Sequence, residues 1–370
     1  MKPLYGPSFG SYPAEDVTWL LKDLSHVRLE APTEEREAAI QSGRAHYAES
    51  LPVEYQPGPE YRRLFHEALE ASAERLAYAT GLVTEMILAE RGPGTVLVSL
   101  ARAGTPVGIL MRRWARFAHG LDLPHYAVSI VRGRGIDTVA LRYLAGRHDP
   151  ASVMFVDGWT GKGAITRELT AALASHPFPP DLAVLADPGR CTSLYGTRDD
   201  FLIPSACLNS TVSGLVSRTV LNDSLIGPGD FHGAKFYAEL APDDVSAVFL
   251  DTICARFPDV AERVAKDLPD LRAAGRAPDW SGWEAVRRCA EAEGIDDLNL
   301  VKPGIGETTR VLLRRVPWKV LVRADAGPEV THIRLLAGER GVPVHDVEPG
   351  RFPYACMGLI HPRFGQGAVQ

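Results

Sequence analysis

An apolar run ends in Asp157, and a turn follows that carries one hydroxyl, one amine and several glycines: Gly158-Trp159-Thr160-Gly161-Lys162-Gly163-Ala164. Glycines let main-chain N–H groups approach an oxyanion closely. A helix beginning at Ala164 would add unpaired donors and a partial positive charge, the usual arrangement for a phosphate. Thr160 adds a hydroxyl donor, Lys162 a point charge, and Asp157 an acceptor for sugar hydroxyls. The spacing is neither G-x-x-x-x-G-K-[ST] nor G-x-G-x-x-G, so neither of those nucleotide motifs applies. The alternative is a tight strand-to-helix turn with no ligand.

Other clusters have related chemistry. Arg102-Ala103-Gly104-Thr105 pairs a guanidinium that can fork two oxygens with a glycine that admits close backbone approach. Arg132-Gly133-Arg134-Gly135 places two guanidiniums on a short loop, equally readable as a solvated basic turn. Residues 201–219 interleave small hydroxylic and apolar side chains, which suits hydrogen bonding to a polar ligand. Asn209, Ser210, Ser213 and Arg218, with His232 beyond them, are the candidates there. Cys207 and His232 are the plausible thiol–imidazole pair of that stretch, but Ala206 and Leu208 flank Cys207 and point to burial. Near the C-terminus, Lys302, Gly304, Gly306, Glu307, Arg310, Arg314 and Arg315 form a glycine turn leading into a basic helix. No set of residues suggests a protein-held metal.

The elements that must hold these residues follow from periodicity. Phe65, Leu69, Leu76, Val83 and Ile87 share one face of a helix over about 61–91, ended by Gly92-Pro93-Gly94. Strands are expected at 95–100, 125–131, 153–156 and 182–185, alternating with helices from the Gly104 turn to 117, over 136–145 and over 164–174. That alternation means a parallel sheet with helices on both faces. Ligands in such sheets sit at the carboxyl ends of the strands. Residues 190–250 show little periodicity, 255–295 read as charged helix, and 298–360 as a small α/β module. The expected divisions are therefore 1–92, an N-terminal helical extension; 93–255, the α/β domain; 256–297, a helical linker; and 298–370, the C-terminal module.

Composition narrows the class. With 370 residues, more than one core is expected. A net charge of −6 excludes a global basic field, so any nucleic-acid contact must be local. The five cysteines are scattered without a C-x-x-C pair, which fits a reducing, cytoplasmic setting. No leader sequence, bilayer-spanning run or membrane partner is expected; a homo-oligomer is compatible with all of this.

The Asp157 loop resembles the phosphoribosyl-pyrophosphate (PRPP) signature of type I phosphoribosyltransferases, with Gly158 where that signature has its second acid. Over nearly its full length the chain resembles the StiP (stress-induced) family of tellurium-resistance operons. The resemblance is carried by residues 8–21, 99–106, the Asp157 loop, 203–219, 230–237 and 302–313. It implies a type I phosphoribosyltransferase-like domain and a C-terminal Pelota-like RNA-binding domain. It further implies transfer of phosphoribose between PRPP and a nucleobase-like small molecule, with Mg2+ bridging the pyrophosphate. Asp157, Arg102, Arg132 and Arg134 would be catalytic, and Ala103, Gly104 and Thr105 would complete the pyrophosphate loop. Residues 302–315 would meet RNA. A nucleotide- or RNA-binding protein without turnover is the alternative, and the family also carries a cysteine-protease label.

Overall fold

In a computed structural model of the chain, residues 2–31, 46, 48–54 and 58–361 are described. Helix α1, Pro59–Arg91, buries Phe65, Leu69, Leu76, Val83 and Ile87 along one face, as their spacing requires. The main sheet comprises β1 (Thr18–Trp19), β2 (Val96–Ala101), β3 (His125–Val131), β4 (Gly135–Ile136), β5 (Val153–Trp159), β6 (Leu182–Ala186) and β7 (Leu194–Thr197). Its order is β1-β3-β2-β5-β6-β7, every pair parallel, with β4 folding back antiparallel onto β3. Between the strands run α2 (Thr105–His119), α3 (Thr138–Ala145) and α4 (Ala164–Leu173).

Side chains alternate across the sheet with period two. Leu97, Met154, Val156, Ala183 and Leu185 pack towards α1 and α2. Val96, Val98, Leu100, Phe155 and Val184 pack towards α3 and α4. Both faces are covered, which is why these strands read as continuous apolar runs. The parallel sheet flanked by helices is as expected; the finer phosphoribosyltransferase class rests on the resemblance alone. The amino-terminal stretch is more than a helical extension, since Thr18–Trp19 forms an edge strand of the sheet.

From β2 the chain moves to β3 on one side, then crosses to β5 on the other. The crevice at the carboxyl ends of β2 and β5 is therefore the switch point, where α/β sheets take ligands. Arg102 and Asp157 stand at those two ends.

Helices α5 (Ser246–Cys254) and α6 (Phe257–Ala273) pack against α1 and α2. Helix α7 (Ser281–Ala292) opens the C-terminal domain, with β8 (Val301–Pro303), α8 (Ile305–Arg314), β9 (Pro317–Arg323), α9 (Thr331–Glu339), β10 (Val344–Val347) and β11 (Cys356–Ile360). Its sheet has the order β8-β11-β9-β10, with β11 antiparallel to both neighbours and β9 parallel to β10. Val286, Cys289 and Ala290 of α7 share a core with Val301, Tyr354 and Met357, so α7 belongs to this domain rather than to a linker.

The two domains are packed together. One apolar cluster runs from the main sheet through Ile203 and Ala206 to Ile305 and Leu312. Among the described residues no helix is long and apolar enough to cross a membrane.

Candidate functional site

The loop after β5 turns into α4 at Gly163, whose φ of 75° lies in the left-handed region. A side chain there would also meet the Trp280 ring at 2.4 Å and the Cys191 sulfur at 2.7 Å, so both geometry and space call for glycine. The loop after β2 makes a similar demand. A Cβ on Gly104 would lie 2.4 Å from the Val156 carbonyl oxygen, so the loop after β2 presses against strand β5.

Between them and the C-terminal domain lies a cavity of about 220 Å³. Arg132, Asp157, Trp159, Gly161, Lys162 and Ala164 form the sheet-side wall, with Ala103 and Ile165, while Lys302, Pro303, Glu307 and Arg310 form the other wall. A second hollow shares Ala103, Asp157, Ile165 and Arg310 with it and extends past Arg102, Asn209 and Arg218. The two make one groove at the switch point. Six cations line it, against the carboxylates of Asp157 and Glu307.

The polar contacts refine these assignments. Asp157 accepts the Gly158 N–H at 2.8 Å, and burial pushes its carboxyl up to about 6. Lys162 donates to the carbonyls of Leu298 and Val301, and burial, with Lys302 and Arg132 nearby, lowers its ammonium to about 7. Burial and the neighbouring cations also lower Lys302. Burial would raise Glu307, but the Arg310 and Lys302 charges outweigh it and hold the carboxyl below its ordinary range. Arg310 pairs with Glu307 at 2.8 Å and lies over the Trp159 ring at 4.7 Å. Its Nε is buried and makes no hydrogen bond.

Several expected residues point elsewhere. The Thr160 hydroxyl donates to Asp187, away from the cleft, and Thr105 is fully buried. Arg102 donates to the Val216 carbonyl at 3.1 Å and lies 3.7 Å from Glu54. Arg132 reaches Asn299 at 2.6 Å, and Arg134 turns to Glu49. Glu168 accepts the N–H groups of Gly133 and Gly135, so the basic loop is tied down. Ser210 bonds Glu54, Ser213 bonds the Asn209 carbonyl, and Arg218 bonds the Ser50 carbonyl.

His232 is buried against Ser129, with Nδ1 to Oγ at 2.8 Å, and burial lowers its imidazole. Cys207 is fully buried in the cluster beneath α1 and α8. The structure thus places the two residues of the thiol–imidazole pair in different surroundings. Burial raises the thiols of Cys191, Cys254, Cys289 and Cys356.

The glycine turn expected to face RNA is also re-placed. Gly304 and Gly306 are buried against the first domain. The Asp200 carboxylate accepts the Ile305 N–H at 2.9 Å and the Ala355 N–H at 2.8 Å, filling the start of α8. Gly306 lies on Trp159. Lys302, Glu307 and Arg310 face the cleft, Arg315 is exposed, and the Arg314 side chain lies outside the described residues. Asp200 and Trp159 were not among the expected site residues. Asp200 stands in Arg198-Asp199-Asp200, which has no motif to mark it.

Comparison with known proteins bears on the activity. A family described as "Tellurite-like stress resistance cysteine protease StiP" matches residues 10–254, and a PELOTA RNA binding domain matches residues 280–362. A protein of Acinetobacter baylyi named "Cysteine protease StiP" is 36% identical over 379 aligned residues, covering 97% of this chain and 95% of its own length. Both names are those of a hydrolase. They overturn the expectation of a pentosyltransferase acting on PRPP and a nucleobase, with the transferase vocabulary that went with it. What stands is kinship: the chain belongs to the StiP family and carries a Pelota RNA-binding domain at its C-terminal end.

Proposed function

We propose that the cleft binds a phosphate-bearing ligand of the RNA class, a nucleotide or the phosphorylated end of a strand, and that the protein serves tellurite-type stress resistance through this binding. The observation that carries it is the gathering of Lys162, Lys302 and Arg310 around one cavity at the sheet's switch point, with Arg102, Arg132 and Arg218 lining the groove although each is bonded elsewhere. Charged groups are rarely gathered under cover unless something of opposite sign meets them. The donor at Arg310 Nε, buried without an acceptor, supports the same reading. In this reading the start of α4 and Lys162 face the phosphate, while Asp157 accepts from a sugar hydroxyl. Any magnesium would arrive on the ligand's oxygens, because among the described residues no group of three or more His, Cys, Asp or Glu could hold a metal. Calorimetry with AMP tests the site. Binding that weakens at least about tenfold in Lys302→Ala, the loss of one charge-assisted contact, supports it, and equal binding in that variant removes it.

A second reading takes the relatives' name at its word. Cys191 lies directly behind the loop, its sulfur 3.0 Å from the Gly189 carbonyl oxygen and its N–H on Asp187. A thiol peptidase needs a thiolate, whereas burial pushes Cys191 up to about 12. A peptidase assay with Cys191→Ser and Cys207→Ser separates the cases. Activity lost in one variant names the nucleophile; activity kept in both rules out these two cysteines.

A further inference from the structure

The two walls of the cleft come from different domains, and both are cationic. Lys162 and Arg132 belong to the sheet domain, Lys302 and Arg310 to the RNA-binding domain. Facing them are Asp157 on the sheet side and Glu307 on the other, with Glu307 already engaged by Arg310. Asp297 also acts favourably on Lys162 and Lys302. Two sheet-domain cations reach across the boundary, Arg132 to Asn299 and Lys162 to the carbonyls of Leu298 and Val301, which are neutral. Neutral oxygens solvate a cation without cancelling its charge. Like charges held together in a covered site repel strongly.

We infer that an anion in the cleft acts as the adhesive between the domains, so that its occupancy and the docking of the RNA-binding domain are coupled. The inference rests on reading the cleft as a phosphate site. Coupling of this kind is reciprocal: a docked domain completes the site, and a filled site holds the domain down. The rest of the interface is anion-independent. Asp200 grips the start of α8, and the Tyr354 hydroxyl donates to the Gly161 carbonyl at 2.8 Å. Emptying the cleft therefore loosens the RNA-binding domain without freeing it entirely.

Hydrogen exchange of the full-length protein during titration with inorganic pyrophosphate tests this, with calorimetry reporting binding in the same samples. Protection of residues 301–314 should rise about tenfold, within the usual range for coupled sites, and in step with saturation. In Lys162→Met, which also loses its own hydrogen bonds across the boundary, protection should no longer respond to pyrophosphate. Arg132→Gln should move the same way, which covers the case of a poorly folded Lys162 variant. If pyrophosphate binds but protection stays flat, the coupling is wrong and the phosphate site stands. If neither pyrophosphate nor AMP binds, both readings fall together.

Discussion

Lys162 shows how far a side chain's type can be read without its direction. The Thr-Gly-Lys-Gly turn was read as an oxyanion cradle, and Gly161 and Lys162 line the cleft. The Thr160 hydroxyl faces Asp187, a partner 27 residues on, which no local pattern encodes. Gly163 is the clearest local requirement: Gly163→Ala should cost at least about 2 kcal/mol, from a left-handed φ together with overpacking against Trp280 and Cys191, measured by urea unfolding. Asp157 makes a pH prediction. Burial raises its folded carboxyl from 3.8 to about 6. Between those values the folded chain holds a proton that the unfolded chain has released, so stability falls as pH rises from about 4 to about 6 and then levels. Asp157 keeps some solvent contact, so the loss should stay below the roughly 3 kcal/mol that two pKa units represent. Burial raises Asp200 to about 6 as well, so unfolding free energies across pH 4–7 should lose part of their slope in Asp157→Asn and keep the rest; an unchanged slope would mean that the Asp157 carboxyl does not contribute.

Elements with a strong period were legible, and those defined by their neighbours were not. The β3 bounds, His125–Val131, match those expected, and α1 differs by two residues at its start. By contrast β1, β7, β8 and β11 were missed. Thr18–Trp19 and Val301–Pro303 are too short to show alternation, and β7 contains Gly196, whose Cα sits tight against Ala79 of α1. The start of α8 was expected to meet RNA phosphate, whereas the anion it takes is Asp200 from the other domain. Sequence separation hides such a pair: Asp200 and Ile305 are 105 positions apart. Asp200→Ala leaves the Ile305 and Ala355 N–H groups buried without their acceptor, which should cost roughly 2–6 kcal/mol at about 1–3 per group. The loss should appear in urea unfolding and as faster proteolysis of the 274–280 connection. Unchanged proteolysis would mean that Asp200 does not hold the domains together.

The whole molecule carries a net charge of −6, so its body repels nucleic acid, and the proposed RNA contact would have to draw on local cations such as those of the groove. The glycine turn of the Pelota domain is covered by the first domain, which leaves the cleft, with Lys302 and Arg310 on its wall, as the way in. The groove, two continuous hollows of about 220 and about 350 Å³, admits a phosphate group and a nucleotide or so, not a duplex. A strand should therefore enter by its end, with the terminal phosphate between Lys162, Lys302 and Arg132. A 5′-phosphorylated single-stranded oligonucleotide should bind at least about tenfold tighter than its 5′-hydroxyl twin, the value of one charge-assisted contact. Its affinity should fall with salt by a log–log slope of about 0.7 per phosphate neutralised. Lys302→Ala should erase most of the end preference, whereas Arg315→Ala, at the exposed far end of α8, should lower the slope and leave the preference intact. Fluorescence anisotropy over a salt series reads both quantities. Equal affinities and equal slopes for the two oligonucleotides would place RNA on another surface and separate the cleft from the Pelota domain's binding.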